Sequence, residues 1–246
     1  MASLYDDPRL YDLLFKAEPH SSFYSALARR QKGSVLELAC GTGQLLMPIA
    51  DLGFRSVGVD LNPAMLSAAR DRARIANADV RLIEGDMRSF SLDEKFSLVF
   101  VARNSLLHLH SRDDFARLFE TVRKHLESGG LFAFDIFNPS VSILARKPEK
   151  RELVTRVEYP GRGTLTVEAT VDYDELSQVN RATWFVSSDV DANVLIAPLH
   201  LRSIFPEELT YMLDYFGFTL EARYGDFRSS EFRSSSREQV CLCRAG

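Results

Sequence analysis

Two carboxylates on either side of a glycine turn, Glu37 and Asp60, are the residues of this 246-residue chain best placed to do chemistry. Glu37 stands in the apolar run Val35-Leu36-Glu37-Leu38. A carboxylate inside a buried strand is costly unless a cation or a hydrogen-bond donor meets it, so Glu37 implies a ligand that carries such a group. Gly41 and Gly43 follow, and they permit a turn that aims backbone N–H groups at a ligand where a helix begins. About 17 residues beyond Gly43, the run Ser56-Val57-Gly58-Val59 ends at Asp60. Nucleotide-binding α/β folds hold ribose hydroxyls with a carboxylate at that strand tip. A dinucleotide fingerprint counted from Gly41 needs glycine or alanine at position 46; Leu46 stands there and disfavours NAD.

The elements that must position these groups alternate strand with helix. Leu45, Leu46, Ile49, Ala50 and Leu52 lay an apolar face on a helix that Gly53 closes. Asn62 as N-cap and Pro63 in the first turn start a helix through about Ile75. Strands are expected at Val80–Ile83 and Phe96–Val101. Ser111 and Asp114 form a capping box for a helix reaching Ser128, and Leu131–Phe137 makes the fifth strand. Ligands of open parallel sheets lie outside the carboxyl ends of the strands. The polar cluster Arg103-Asn104-Ser105, with His108 just beyond, sits at such an end, so Asn104 and His108 are candidates to face an acceptor. His108 reads either as a general base with a pKa near neutrality or as a histidine satisfied within its loop.

The run Glu37-x-Ala39-x-Gly41-x-Gly43 resembles the first motif of class I S-adenosylmethionine (SAM) methyltransferases, with alanine where the commonest form has its first glycine. Val80-Arg81-Leu82-Ile83-Glu84-Gly85-Asp86-Met87 is similar to the third strand and acidic loop of that family, and Phe96–Val101 to its fourth strand. The resemblance covers roughly residues 30 to 140. It implies a Rossmann-like, doubly wound seven-stranded sheet, with SAM as cofactor and S-adenosylhomocysteine as product. It further implies Glu37 near the methionine amino group and a cradle from the segment Ala39, Cys40, Gly41 and Gly43. Asp60 would hold the ribose, Leu61, Asp86 and Met87 the adenine. Tyr11 would reach over the methionine end, and Arg103 would meet its carboxylate. The layout is similar to small-molecule N-methyltransferases of amino sugars and related amines. Methyl transfer to a nitrogen or oxygen of a small acceptor is therefore the leading reading.

Apolar positions 10, 13, 14 and then 23, 24, 27 suit two short helices separated by Pro19, so residues 1–32 read as a helical lid. Residues 33–140 and 206–246 form the core. Between them, within 141–205, Leu153–Tyr159, Thr164–Tyr173, Asn180–Ser187 and Val194–Phe205 alternate apolar and polar residues, as antiparallel strands with one wet face do. This insertion either covers the substrate pocket or makes a homodimer contact. Pro206 starts a helix ending at Gly217, and strands at Thr219–Tyr224 and Gln239–Arg244 complete the main sheet. Tyr224 and Asp226, at one strand end, are candidate substrate contacts and substitutes for His108 as base.

An apolar content of 46% supports one sizeable core with an insertion. The formal net charge of −4 disfavours a strong grip on nucleic acid and favours small molecules. Methylation of RNA, an NAD-dependent oxidoreductase and a non-catalytic SAM-binding partner remain as alternatives. Three cysteines cannot all pair; Cys241 and Cys243 point to one face of a strand and read as buried thiols, which suggests a reducing cytoplasm. His108-x-His110 makes no metal pattern, no run reaches membrane-spanning length, and the N-terminus lacks a basic-then-apolar leader.

Overall fold

A computed structural model describes residues 3–192 and 194–246. In chain order the helices are α1 (Pro8–Leu14), α2 (His20–Gln31), α3 (Leu46–Ala50), α4 (Pro63–Ala76), α5 (Arg112–His125), α6 (Val141–Leu144) and α7 (Pro206–Tyr215). The strands are β1 (Val35–Leu38), β2 (Ser56–Asp60), β3 (Val80–Glu84), β4 (Phe96–Val101), β5 (Leu126–Phe137), β6 (Glu152–Tyr159), β7 (Gly163–Asp174), β8 (Val179–Ser188), β9 (Leu195–Arg202), β10 (Phe218–Tyr224) and β11 (Glu238–Ala245). Seven of them form the main sheet in the order β10-β11-β5-β4-β1-β2-β3. β11 runs antiparallel to both neighbours and the other pairings are parallel. Strand order reverses between β1 and β4, which opens a crevice at their carboxyl ends.

Every residue of β1 and β4 is buried, as strands covered on both faces require. On one face α5 and α7 contribute Phe115, Phe119, Leu209 and Leu213 against Leu36, Phe132 and Phe134. On the other, α2 brings Phe23, Tyr24 and Leu27 to Val35, Phe100 and Leu131. Tyr24 also donates from its hydroxyl to Asp135 at 2.7 Å, which satisfies a carboxylate buried at the end of β5. A third cluster joins Leu4 and Leu10 to Leu165, Val167, Val186 and Ala197 of the separate antiparallel sheet β6-β7-β8-β9. The N-terminal segment thus divides: α1 packs on the inserted sheet and α2 on the main one.

Two element ends differ from the sequence reading. α3 stops at Ala50, and the chain turns at once through Gly53, which adopts φ +84° and donates to the Ala50 carbonyl at 2.8 Å. α5 ends at His125, not Ser128, because Leu126 leaves the helix with φ −80° and ψ 137° and buries its side chain beside Phe96. β5 therefore begins five residues early, across a register shift, where a Cβ on Gly130 would lie 3.0 Å from the carbonyl oxygens of Glu127 and Phe96. Cys241 and Cys243 are buried on one face of the core, where burial pushes both thiols up. No helix among the described residues is long and apolar enough to cross a membrane.

His125 is fully buried at the end of α5, where Nε2 accepts from the Leu92 amide at 3.0 Å and Nδ1 donates to the Thr121 carbonyl at 2.7 Å. Those two bonds require the neutral ring, and burial lowers its pKa. The unfolded chain takes up this proton near pH 6.5 and the native state takes it up only at lower pH. The stability contribution is therefore full above about pH 6.5 and is lost as pH falls below it. Urea midpoints should fall between pH 7 and pH 5 in the wild type. His125→Phe should lose about 1 to 3 kcal/mol at pH 7, by orphaning the Leu92 amide, and flatten that decline.

Candidate active site

A cavity of about 460 Å³ opens at the carboxyl ends of β1, β2 and β3. Its floor is formed by Ala39 and Gly41 of the turn after β1, with φ of +56° and +54°; Gly43, at φ +73°, ends the turn and lines neither this cavity nor the recess beside it. A Cβ on Gly41 would meet nothing within 4 Å, so that position faces open space; one on Gly43 would lie 2.6 Å from Met47 Cε. Asp60 holds this turn in place. Its carboxylate accepts from the Gly41 amide at 2.7 Å and from the Asn62 amide at 2.8 Å. Burial raises the pKa of Asp60, and these amides pull it back. Leu61 and Met65 line one wall, with Leu61 two-thirds exposed, and Asp86, Met87 and Arg88 line another. Arg88 pairs with Asp86 at 2.6 Å and also with Asp114; it holds the Asp86 carboxyl below its usual range, while the Ser111 hydroxyl, with Arg88 adding to it, holds Asp114 at about 2.

Tyr5 and Tyr11 of the N-terminal segment roof the cavity, their rings 5.8 Å apart, and the Tyr5 hydroxyl lies 2.7 Å from His108 Nε2. Beneath Tyr11 a smaller recess of about 20 Å³ reaches Glu37, Thr42, Gln44 and Arg103. Glu37 is 3% exposed, and its Oε2 has no hydrogen-bond partner among the described residues. Burial pushes this carboxyl well up, against the pull of Arg103. A buried carboxylate oxygen without a donor beside a cavity is what a cationic ligand group would satisfy.

Comparison with known proteins gives this geometry a family. Residues 35–130 match the methyltransferase domain family. Over 178 residues the chain is 30% identical to dTDP-3-amino-3,6-dideoxy-α-D-glucopyranose N,N-dimethyltransferase of Streptomyces fradiae, spanning 67% of this chain and 68% of that one. The chain belongs to the SAM-dependent methyltransferases. The structure of the CcbJ methyltransferase from Streptomyces caelestis is similar over 99% of this chain and 98% of its own, with a TM-score of 0.84 at 27% identity. SAM-bound CalS10, an amino pentose methyltransferase from Micromonospora echinaspora, shares the fold with a TM-score of 0.68 at 21% identity, over 93% and 91% of the two chains.

SAM is the cofactor of this methyltransferase, and the cavity residues fit it. Gly41 leaves room for a ligand against the backbone, Asp60 keeps lone pairs beyond its two amide bonds, and Glu37 Oε2 awaits a donor. Of the residues expected at the site, Tyr11, Ala39, Gly41, Asp60, Leu61, Asp86, Met87 and His108 line the main cavity. Glu37 and Arg103 line the recess. Cys40 also borders the recess, with Sγ packed against Gly58, where a Cβ would approach to 2.8 Å. The terminal nitrogens of Arg103 go to protein, to the carbonyls of Phe15 and Lys16 at 3.0 and 2.8 Å and to Gln44 Oε1 at 2.8 Å, while its buried Nε has no partner among the described residues.

Three expected acceptor-side residues are not brought to the cavity. Asn104 takes φ +63° and its Oδ1 accepts from the Phe137 amide at 2.6 Å, because the ends of β4 and β5 need this tie. Tyr224 pairs with Val240 at the sheet edge and packs on Phe23 with ring centroids 6.5 Å apart. Asp226 caps an exposed turn, accepting from the amides of Arg228 and Ser230 at 2.8 and 3.1 Å. Tyr5 and Arg88 line the cavity without having been named as site residues, and Ser105 of the expected polar cluster joins them. A signal for Tyr5 was available in the Ser3-x-x-Asp6 capping box, which forms the turn that presents it.

His108 also departs from the near-neutral base expected. Burial, with help from His110, pushes its pKa down to about 4. The imidazole is therefore neutral throughout the physiological range and does not titrate there. Turnover profiles of the wild type and His108→Ala should share one shape between about pH 6 and 9, and the variant should lose about two- to tenfold from the missing Tyr5 bond. A wild-type rise centred near pH 6.5 that vanishes in the variant would contradict this assignment.

Proposed function

We propose that this methyltransferase moves the methyl group of SAM to the amine nitrogen of a small molecule of the amino-sugar kind, in the cytoplasm. The observation that carries the cofactor half of this reading is the unpartnered Glu37 carboxylate oxygen at the foot of the cavity. The acceptor class is supported by the amino-sugar N,N-dimethyltransferase of Streptomyces fradiae and by another such enzyme from Streptomyces venezuelae, 34% identical over 101 residues. The cytoplasm suits three buried cysteines, all free.

Bound SAM supplies a methyl already activated on a sulfonium. What the chain must do is bind, align and exclude water. Glu37 takes the methionine amino group, Asp60 the ribose hydroxyls, and Asp86 with Met87 and Leu61 the adenine. Tyr5 and Tyr11 keep water from the reacting end, and neutral His108 holds Tyr5 in that position. The inserted sheet, packed on the N-terminal segment, covers the acceptor side. Because His108 is no proton sink near pH 7, the amine must arrive unprotonated, and activity follows the acceptor's own pKa.

Isothermal titration should show SAM binding that Asp60→Ala weakens by about 10- to 100-fold, as loss of a charged hydrogen-bond acceptor does. Glu37→Gln should weaken S-adenosylhomocysteine by about tenfold while leaving methylthioadenosine, which lacks the amino-acid part, unchanged. An equal loss for both ligands would remove Glu37 from amino-group recognition. Incubation with SAM and a panel of amino sugars, phenols and total RNA should methylate an amino sugar; labelling confined to RNA would overturn the acceptor class.

A further inference from the structure

α1 carries a carboxylate, Asp12, that serves the cofactor loop rather than its own helix. Asp12 Oδ1 accepts from Thr42 Oγ1 at 2.6 Å and from Gln44 Nε2, and Oδ2 pairs with Arg72 of α4. Arg72 Nε in turn donates to the Thr42 carbonyl at 3.0 Å. Thr42 sits between the two loop glycines with 1% of its surface exposed, so its hydroxyl depends on a protein partner. Arg103 repeats the link one turn later, joining Gln44 to the carbonyls of Phe15 and Lys16.

The other side of the same segment is apolar. Leu10 packs with Val167, Val186 and Ala197, and the Phe15 ring lies 6.0 Å from Trp184 on β8. A helix of seven residues has no stability of its own, so α1 exists through these two attachments. They differ in kind. Water can replace the charged hydrogen bonds to the loop as the segment lifts, whereas the apolar contacts with the inserted sheet would be lost outright.

We propose that Asp12 is a positioning residue that couples docking of the N-terminal segment to the shape of the cofactor loop, so that the tyrosine roof and the loop beneath it close as a pair. The coupling is reciprocal: a ligand that stabilises the loop stabilises the docked roof by the same factor. The inserted sheet, bound to the segment by its apolar face, moves with it. The inference rests on SAM binding in the main cavity.

The test uses S-adenosylhomocysteine on the full chain, with tryptic cleavage after Arg9 and Lys16 reporting the roof and amide exchange over residues 41–45 reporting the loop. In the wild type, saturating S-adenosylhomocysteine should slow both cleavages about tenfold or more. In Asp12→Ala the loop amides should exchange faster without ligand, the Kd should rise about tenfold, and saturating ligand should no longer slow cleavage. Asp12→Asn, which keeps an acceptor for Thr42 but removes the charge facing Arg72, should fall between, and it carries the same comparison if the alanine variant does not fold. Asp71→Asn, at an exposed pair with Arg74 on α4, should match the wild type. A folded Asp12 variant that binds within threefold of the wild type and regains full protection at saturation, even with a lowered melting temperature, overturns the coupling. Failure of the wild type to bind S-adenosylhomocysteine would instead strike the cofactor assignment itself.

Discussion

The double acceptance by the Asp60 carboxylate, from Gly41 on one side and Asn62 on the other, is the interaction on which the site depends. One bond ties the tip of β2 to the turn after β1; the other sets the residue that caps α4, whose own Oδ1 accepts from Ala64 and Met65. A single side chain therefore fixes the floor of the cavity and the start of the helix beside it. Burial raises its pKa, and the amide hydrogen bonds oppose that rise because each favours the ionised form. Ala39 shows how firmly the turn is held. It occupies the left-handed region at φ +56°, a conformation costly for a residue with a Cβ, and the surrounding bonds impose it.

The second half of the site comes from the other end of the chain. α1 shows apolar side chains to the inserted sheet and polar ones to the loop, so it joins the glycine loop to the inserted sheet. α2 has no such divided loyalty: Tyr24 stacks on Phe100 at 4.4 Å and seals Asp135 into the core. The two helices are thus anchored differently, α1 to the loop and the inserted sheet and α2 to the main sheet.

The sheet and the cofactor half of the site were legible in the sequence because local chemistry dictated them. Glycines at the turn, an acid within one apolar run and another at the end of the next, and Asn62-Pro63 at a helix start each have few structural readings; Asn62 caps α4, and Gly41, Asp60 and Asn62 line one cavity. Leu126–Ser128 were misread because a helical pattern cannot show that burying Leu126 beside Phe96 outweighs another turn of α5. The acceptor side was less legible for a different reason. Asn104, Tyr224 and Asp226 have side chains suited to recognition, but the chain ends around them left amides and apolar surface that they satisfy instead. That competition is set by contacts distant in sequence, as is the meeting of Tyr5 with His108, 103 residues apart.

The electrostatics of the pocket bear on the kind of catalysis it can perform. A neutral imidazole and two tyrosines with raised pKa offer no group that changes charge near neutral pH at the roof. Such a site is poor at removing a proton and good at excluding water while keeping a few polar atoms in fixed directions. Methyl transfer from a sulfonium needs the second property, because the leaving group is already activated and charge is dispersed as the methyl moves to a neutral nucleophile. His108 then contributes by fixing the Tyr5 hydroxyl through Nε2, and its depressed pKa keeps the ring neutral, with one nitrogen free to accept and the other to donate.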